Sequence, residues 1–205
     1  MQFAATPSER QQELYHLAQS QGGYFTAKQA ASLGYQSNKR IYHVRAGNWA
    51  REYRGIYRLT RFPEPERPDL ILWMLWSRDR SDRPNGVFSH QTALSLHEIT
   101  DVNPARLDLT VPATFRRGVP IPKVLRLHRG DVPSADRVEI FGVPVTNAMR
   151  TILDVWKEGS MPHADLREAF REAVQRGAIT RTQIAKCKED AESAPILAQI
   201  LKGKQ

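Results

Sequence analysis

Apolar residues recur along the first sixty positions at helical and then at strand-like spacing. Leu14, Leu17 and Ala18 stand at i, i+3 and i+4 in a segment for which Ser8 is the expected N-cap. That helix runs to about Gln21 and is stopped by Gly22–Gly23. Thr26 caps a short second helix, Ala27 to Leu33, with Gly34 in the C′ position. A third helix follows Gln36–Ser37 and reaches about Gly47, with Ile41 and Val44 as its expected buried stripe. On a helical wheel the opposite face carries Asn38, Lys39, Tyr42 and His43, with Arg40 and Arg45 on the flanks. Trp49–Tyr53 and Ile56–Leu59, joined by Arg54–Gly55, are rich in aromatic and β-branched residues and read as a β-hairpin. Two short helices around a glycine turn, the second basic outside, and then a basic hairpin make a winged helix-turn-helix.

A Pro/Glu cluster at Pro63–Pro68 (PEPERP) marks a linker, which places the winged helix on residues 1–62 and a second domain on 69–205. The second domain opens with an apolar helix, Asp69 to Arg80, carrying Trp73 and Trp76. A helix from Ser89, its N-cap, to about Ile99 packs Ala93, Leu94 and Leu96. Three short strands follow, Arg106–Val111, Val124–His128 and Val138–Phe141; the first alternates Leu107, Leu109 and Val111 with Asp108 and Thr110. A helix after Thr146 or Asn147 holds Met149, Ile152, Leu153 and Trp156. The next has Leu166, Ala169, Phe170, Ala173 and Val174 at core spacing and ends at Gly177. Thr180 caps another, and Pro195 opens the last. The fold class is therefore α+β: a winged helix-turn-helix, then a mixed domain with a small sheet and several helices.

Composition adds an asymmetry. With 40% hydrophobic and 25% charged residues the 205-residue chain is of ordinary globular make-up, and its 30 Lys and Arg against 22 Asp and Glu leave +8. Residues 1–62 hold nine of the bases and only three of the acids, so +6 of the excess lies on the winged helix. A basic winged helix suits double-stranded DNA. The third helix, with Ser37 among its DNA-binding residues, would enter the major groove with Asn38, Lys39, Tyr42 and His43 toward the bases. Arg40 and Arg45, and on the wing Arg51, Arg54 and Arg58, would track phosphates or the adjacent minor groove. A basic module that docks a protein fits the same charge. The single cysteine, Cys187, excludes an internal disulfide framework and Cys-based zinc fingers. The longest apolar run, Leu70 to Trp76, is far short of a membrane span, and Met1–Arg10 has no signal-peptide h-region. A cytoplasmic protein without membrane partners is expected.

His90, His97, His128, Asp101, Asp108 and Glu139 form the one constellation that suggests metal-dependent phosphodiester cleavage. His90 and His97, seven residues apart on one helix, would be separated by about 10.5 Å, too far for one metal. Two residues after Glu139 stands Phe141, where a nuclease of the two-carboxylate type needs lysine. Neither GxxxxGK[ST] nor GxGxxG occurs, and Ser89 and Ser95 lack the glycines of a nucleophile elbow. Cys187 lies between Lys186 and Lys188, which favour its thiolate, yet an isolated helical cysteine is commonly inert. Arg150 and Asp154 are spaced for a helix-face ion pair, and Arg116–Arg117 for a solvated turn. The expectation is no enzyme, with no catalytic residues, cofactor or metal.

Several stretches resemble the AbiEi-type antitoxin family. They are Gly22–Ala30 (GGYFTAKQA) through Leu33–Tyr35, Ile41–Gly47 (IYHVRAG) and Tyr53–Leu59 (YRGIYRL). Downstream they continue with Phe88–His97 (FSHQTALSLH), Leu109–Pro112 (LTVP) and Gly142–Asp154 (GVPVTNAMRTILD). Together they cover most of residues 20–160. The resemblance implies the antitoxin of a type IV toxin–antitoxin system linked to abortive infection and phage defence. Such a protein is a repressor that binds inverted repeats in its own promoter, as a monomer or a weak dimer. Its C-terminal domain counters a nucleotidyltransferase-like toxin. A free-standing winged-helix regulator without a toxin, or a metal-dependent nuclease-like phage-defence protein, remain the alternatives.

Overall fold

The computed structural model describes residues 6–202, so the first five residues of the Met1–Arg10 leader reading lie outside the described residues. The chain divides into two compact units. One ends at Asn85 and takes in Phe141–Val143; the other comprises Gly86–Ile140 and the chain from Pro144 onward. The α+β class is observed.

The first unit runs α1 (Pro7–Gln19), β1 (Tyr24–Thr26), α2 (Ala27–Ser32), α3 (Ser37–Arg45), β2 (Trp49–Tyr53), β3 (Ile56–Leu59) and α4 (Pro68–Trp76). This is the element order of a winged helix. Thr6 rather than Ser8 caps α1. Its hydroxyl accepts the Glu9 N–H, and the Glu9 carboxylate accepts the Thr6 N–H at 2.6 Å, with Pro7 opening the helix. Thr26 and Gln29 form the same reciprocal box at α2. Gly22 and Gly23 both have positive φ where the chain leaves α1. A Cβ on Gly22 would lie 2.5 Å from Ile71 Cδ1, and one on Gly23 2.6 Å from the Phe62 ring.

The antiparallel sheet has the order β1-β3-β2, with Phe25 opposite Tyr57 and Trp49 opposite Leu59. These residues face Leu14, Ala18, Ala30 and Tyr35, the core beneath the three helices. Alternation sends Tyr24 and Ile56 to the other face, where α4 packs on β1 and β3. The compact unit therefore continues past the Pro/Glu cluster, which is a connection within it. The segment after α4 holds it in place. Arg78 and Asp82 pair at 2.9 Å, Thr26 Oγ1 donates to Asp82, and Lys28 donates to the Arg80 carbonyl at 2.7 Å. This loop also ends α4 at Trp76, short of the expected Arg80.

The second unit contains β4 (Val87–Phe88), α5 (His90–Leu96), β5 (Leu107–Val111), β6 (Leu125–Arg129), β7 (Arg137–Ile140) and, from Pro144 on, β8 (Val143–Thr146). Helices α6 (Ala148–Glu158), α7 (His163–Gln175), α8 (Arg181–Glu189) and α9 (Ser193–Leu201) complete it. The mixed sheet has the order β6-β5-β4-β8-β7, with β4 antiparallel to β5 and parallel to β8. The three expected strands are present, joined by β4 and β8. Ala148, Met149, Ile152, Leu153, Val155 and Trp156 of α6 are buried against Leu94, Leu166, Phe170, Leu197 and Ile200. Asn147 caps α6, Gly159 ends it in the left-handed conformation, and Thr180 caps α8. Val174 is exposed rather than in the core. The last helix starts at Ser193, whose N–H donates to the Asp190 carboxylate at 2.8 Å, before Pro195. Among the described residues no helix is long and apolar enough to cross a membrane.

Candidate nucleic-acid interface

Helix α3 stands on the first unit with no fully buried residue, held by its contacts to Tyr35 and to Trp49 at the start of β2. Its outer surface consists of Ser37, Asn38, Lys39, Ile41, Tyr42 and Arg45. Arg40, His43 and Val44 are partly buried on the inner side. The expected wheel is thus rotated by roughly 75° at 100° per residue: Ile41 belongs outside and His43 inside. The cause is an aromatic cluster. The His43 ring stacks on Trp49 at 4.5 Å and meets the edge of Tyr35 at 5.3 Å. Burial holds its pKa below the usual value, and Lys39 adds to the effect. His43 therefore seats the helix as a neutral ring. Arg40 is likewise engaged, donating from Nη1 to the Tyr35 carbonyl at 2.9 Å across the turn between α2 and α3.

The first turn of α3 has no side-chain cap and no acidic residue, so the positive end of the helix dipole is uncompensated there. Asn38 Oδ1 accepts the Lys39 N–H at 2.8 Å. On the wing, Arg51 is exposed on β2, where the register shifts before Tyr53, and Arg54 is exposed at the turn beside Gly55. Among the described residues Lys39, Arg45, Arg51 and Arg54 have no carboxylate partner. Arg58 differs: its Nε pairs with Glu52 Oε1 at 3.0 Å, which neutralises it on the sheet face. Lys39 and Arg45 on α3 and Arg51 and Arg54 on the wing are therefore exposed cations without a carboxylate partner.

The histidine–carboxylate constellation of the second unit is only partly assembled. His90, His128 and Asp108 meet, joined by Ser89, Thr110, Arg126 and Glu158. His128 Nε2 and Arg126 Nε lie 2.9 and 2.8 Å from Oδ1 of Asp108, which is fully buried. The His90 and His128 rings stack at 3.5 Å, and Ser89 Oγ lies 2.7 Å from Thr110 Oγ1 and 2.9 Å from His90 Nδ1. Ser89 thus occupies the N-cap position without capping α5 through its hydroxyl, and His90 follows with a φ of 51°. His97 instead donates to the Thr146 carbonyl at 2.7 Å, while Asp101 and Glu139 are exposed. Among the described residues no three His, Cys, Asp or Glu side chains are placed to hold a metal ion. The cluster ties β5 and β6 to the start of α5 and the end of α6.

The other singled-out residues have structural surroundings. Arg150 pairs with Asp154 at 2.8 Å and with Asp136 at 3.3 Å, and Arg116 donates to the Ala113 and Phe115 carbonyls of its own loop. Cys187 is buried in the helical core, where burial and then Asp190 push its thiol up, against the smaller lowering by a Ser193 hydrogen bond and by Lys157. Arg126, Glu158 and Thr110 were invisible as partners in the sequence, because long-range strand and helix neighbours carry no local spacing signal.

Comparison with known proteins agrees with the architecture. No curated protein matches the chain. Among solved structures, the RV2827C protein from Mycobacterium tuberculosis is similar in fold, with TM-score 0.55 and 13% identity over 98% of this chain and 78% of that one. A family described as "Transcriptional regulator, AbiEi antitoxin" matches residues 12–60, which span most of α1 and the whole of β1, α2, α3 and the wing. The match ends before the motifs at Phe88–His97 and Gly142–Asp154. The winged helix of this chain is thus the segment that matches the AbiEi antitoxin family of transcriptional regulators.

Proposed function

We propose that this protein is a DNA-binding transcriptional repressor that acts as the antitoxin of a type IV, AbiE-like system. The observation that carries the reading is the set of uncompensated cations, Lys39 and Arg45 on α3 with Arg51 and Arg54 on the wing, on the segment that matches the regulator family. In this reading α3 lies in the major groove of double-stranded DNA and the wing follows the backbone. Inverted repeats in the promoter then take two copies, bound as monomers or as a weak dimer. The second unit counters a nucleotidyltransferase-like toxin, and the protein works in the cytoplasm.

A reporter fused to the DNA upstream of the gene tests the repressor role. Expression of the protein should silence it, and loss of Lys39 and Arg51 together should restore it. A free-standing regulator is the second reading, favoured by the family match stopping at residue 60. Co-expression with the product of the adjacent gene separates the two: rescue of growth from a toxic neighbour supports the antitoxin, and no rescue supports the regulator.

A further inference from the structure

The exposed side of α3 contains a side chain that phosphate binding does not explain. Asn38, Ile41, Tyr42 and Arg45 stand at i, i+3, i+4 and i+7 and form one stripe along the helix. Ile41 is 54% exposed and Tyr42 65% exposed. Isolated apolar residues on a surface need no explanation. This pair is different in its placement, centred between an amide and a guanidinium that both suit base edges, on the unit holding most of the positive charge.

We propose that Ile41 and Tyr42 form an apolar reader for the C5-methyl groups of thymine in the major groove, so that this protein selects half-sites with thymine at defined positions. The inference rests on the DNA-binding reading of α3. Among the features a base pair shows in the major groove, the thymine methyl is the one met by apolar contact. Ile41 offers branched aliphatic surface with no polar atom to leave unpaired. Tyr42 is backed by a ladder of rings. Its edge meets His43 at 5.4 Å, and His43 in turn stacks on Trp49 at 4.5 Å. A ring held in this way loses little freedom on binding. A second copy of the chain is disfavoured as the occupant of this face, because it would bring Lys39, Arg45, Arg51 and Arg54 against the same four charges.

The test uses the full chain and a duplex selected by it from a random pool, resynthesised with deoxyuridine in place of each thymine in turn. Removing a contacted methyl should weaken the wild-type protein about fourfold at one or two positions, from about 0.8 kcal/mol for a buried methyl-sized group. Ile41→Ala should bind the thymine duplex more weakly and be indifferent to deoxyuridine at one of those positions, with its thermal unfolding midpoint unchanged. Tyr42→Ala should behave likewise at the neighbouring position. Salt-dependent, sequence-selective binding that ignores deoxyuridine everywhere would overturn the methyl reader and leave DNA binding standing. The reader is equally overturned if Ile41→Ala keeps the full deoxyuridine penalty at every position. Failure to bind any duplex would remove the DNA-binding reading itself, and the reader with it.

Discussion

His43 lies flat against Trp49, with ring centroids 4.5 Å apart and planes 13° apart, and this contact sets which side of α3 faces outward. A charged imidazole would be a poor tenant of that site, and burial keeps it neutral. His43→Ala should destabilise the first unit by about 1 kcal/mol beyond lost area, the scale of an aromatic pair. It should also weaken DNA binding without touching DNA. Phe at this position should restore most of the stability. Denaturant unfolding of both variants measures the difference.

Stability should fall in acid for a related reason. Burial lowers the pKa values of His43, His90 and His97; at His90 burial and the stacked His128 together prevail over Asp154, Glu158 and Asp108. The unfolded chain, whose histidines titrate near 6.5, therefore takes up protons before the folded chain does. The contribution is complete above about pH 6.5 and is lost as pH falls toward the depressed folded values. Thermal unfolding followed from pH 7.5 down to 5 should show this decline. His97→Gln keeps a donor near the Thr146 carbonyl and should flatten part of it.

Asp108 is the buried centre of the second unit's polar cluster. Removing it leaves Arg126 and His128 with only Glu158, 3.9 and 3.8 Å away. Asp108→Ala should cost about 1–3 kcal/mol, the range for leaving buried hydrogen-bonding groups unsatisfied, since Arg126 is partly exposed. Asp101→Ala and Glu139→Ala, at exposed positions, should stay within about 0.5 kcal/mol. Chemical denaturation of the three variants checks the contrast.

Gly22 and Gly47 separate backbone conformation from packing. Both have positive φ, but a Cβ at Gly22 would strike Ile71, whereas Gly47 has open space around it. Gly47→Ala should cost about 1–2 kcal/mol, the penalty of the left-handed conformation. Gly22→Ala should cost distinctly more, as Ile71 must move. Unfolding midpoints of the two variants decide it.

How legible these features were in the sequence depended on their range. Caps and hairpins are local, so Thr26, Thr180 and Arg54–Gly55 are legible and the α6 cap narrows to Thr146 or Asn147; the α1 cap was expected at Ser8, and the structure moves it to Thr6, where Glu9 closes the box. Strand β4 is two residues long and carries no periodicity, and Pro144 argues against the inner strand β8 that it occupies. The rotation of α3 was hidden because an aliphatic residue, Ile41, was assigned to the core ahead of an imidazole. Only the fold brings Tyr35 and Trp49 together to receive His43. At the candidate interface the cations were evident from composition, but the pairing of Arg58 with Glu52 required strand register.

The salt dependence of DNA affinity tests the central claim most directly. Each phosphate contact contributes about 0.9 to the slope of log affinity against log salt. Lys39→Ala and Arg51→Ala should each weaken binding to the selected duplex and lower that slope by about one unit, while Arg58→Ala, already neutralised by Glu52, should change it little. Binding that is insensitive to salt, or unaffected by both Lys39→Ala and Arg51→Ala, would contradict the placement of DNA on α3 and the wing.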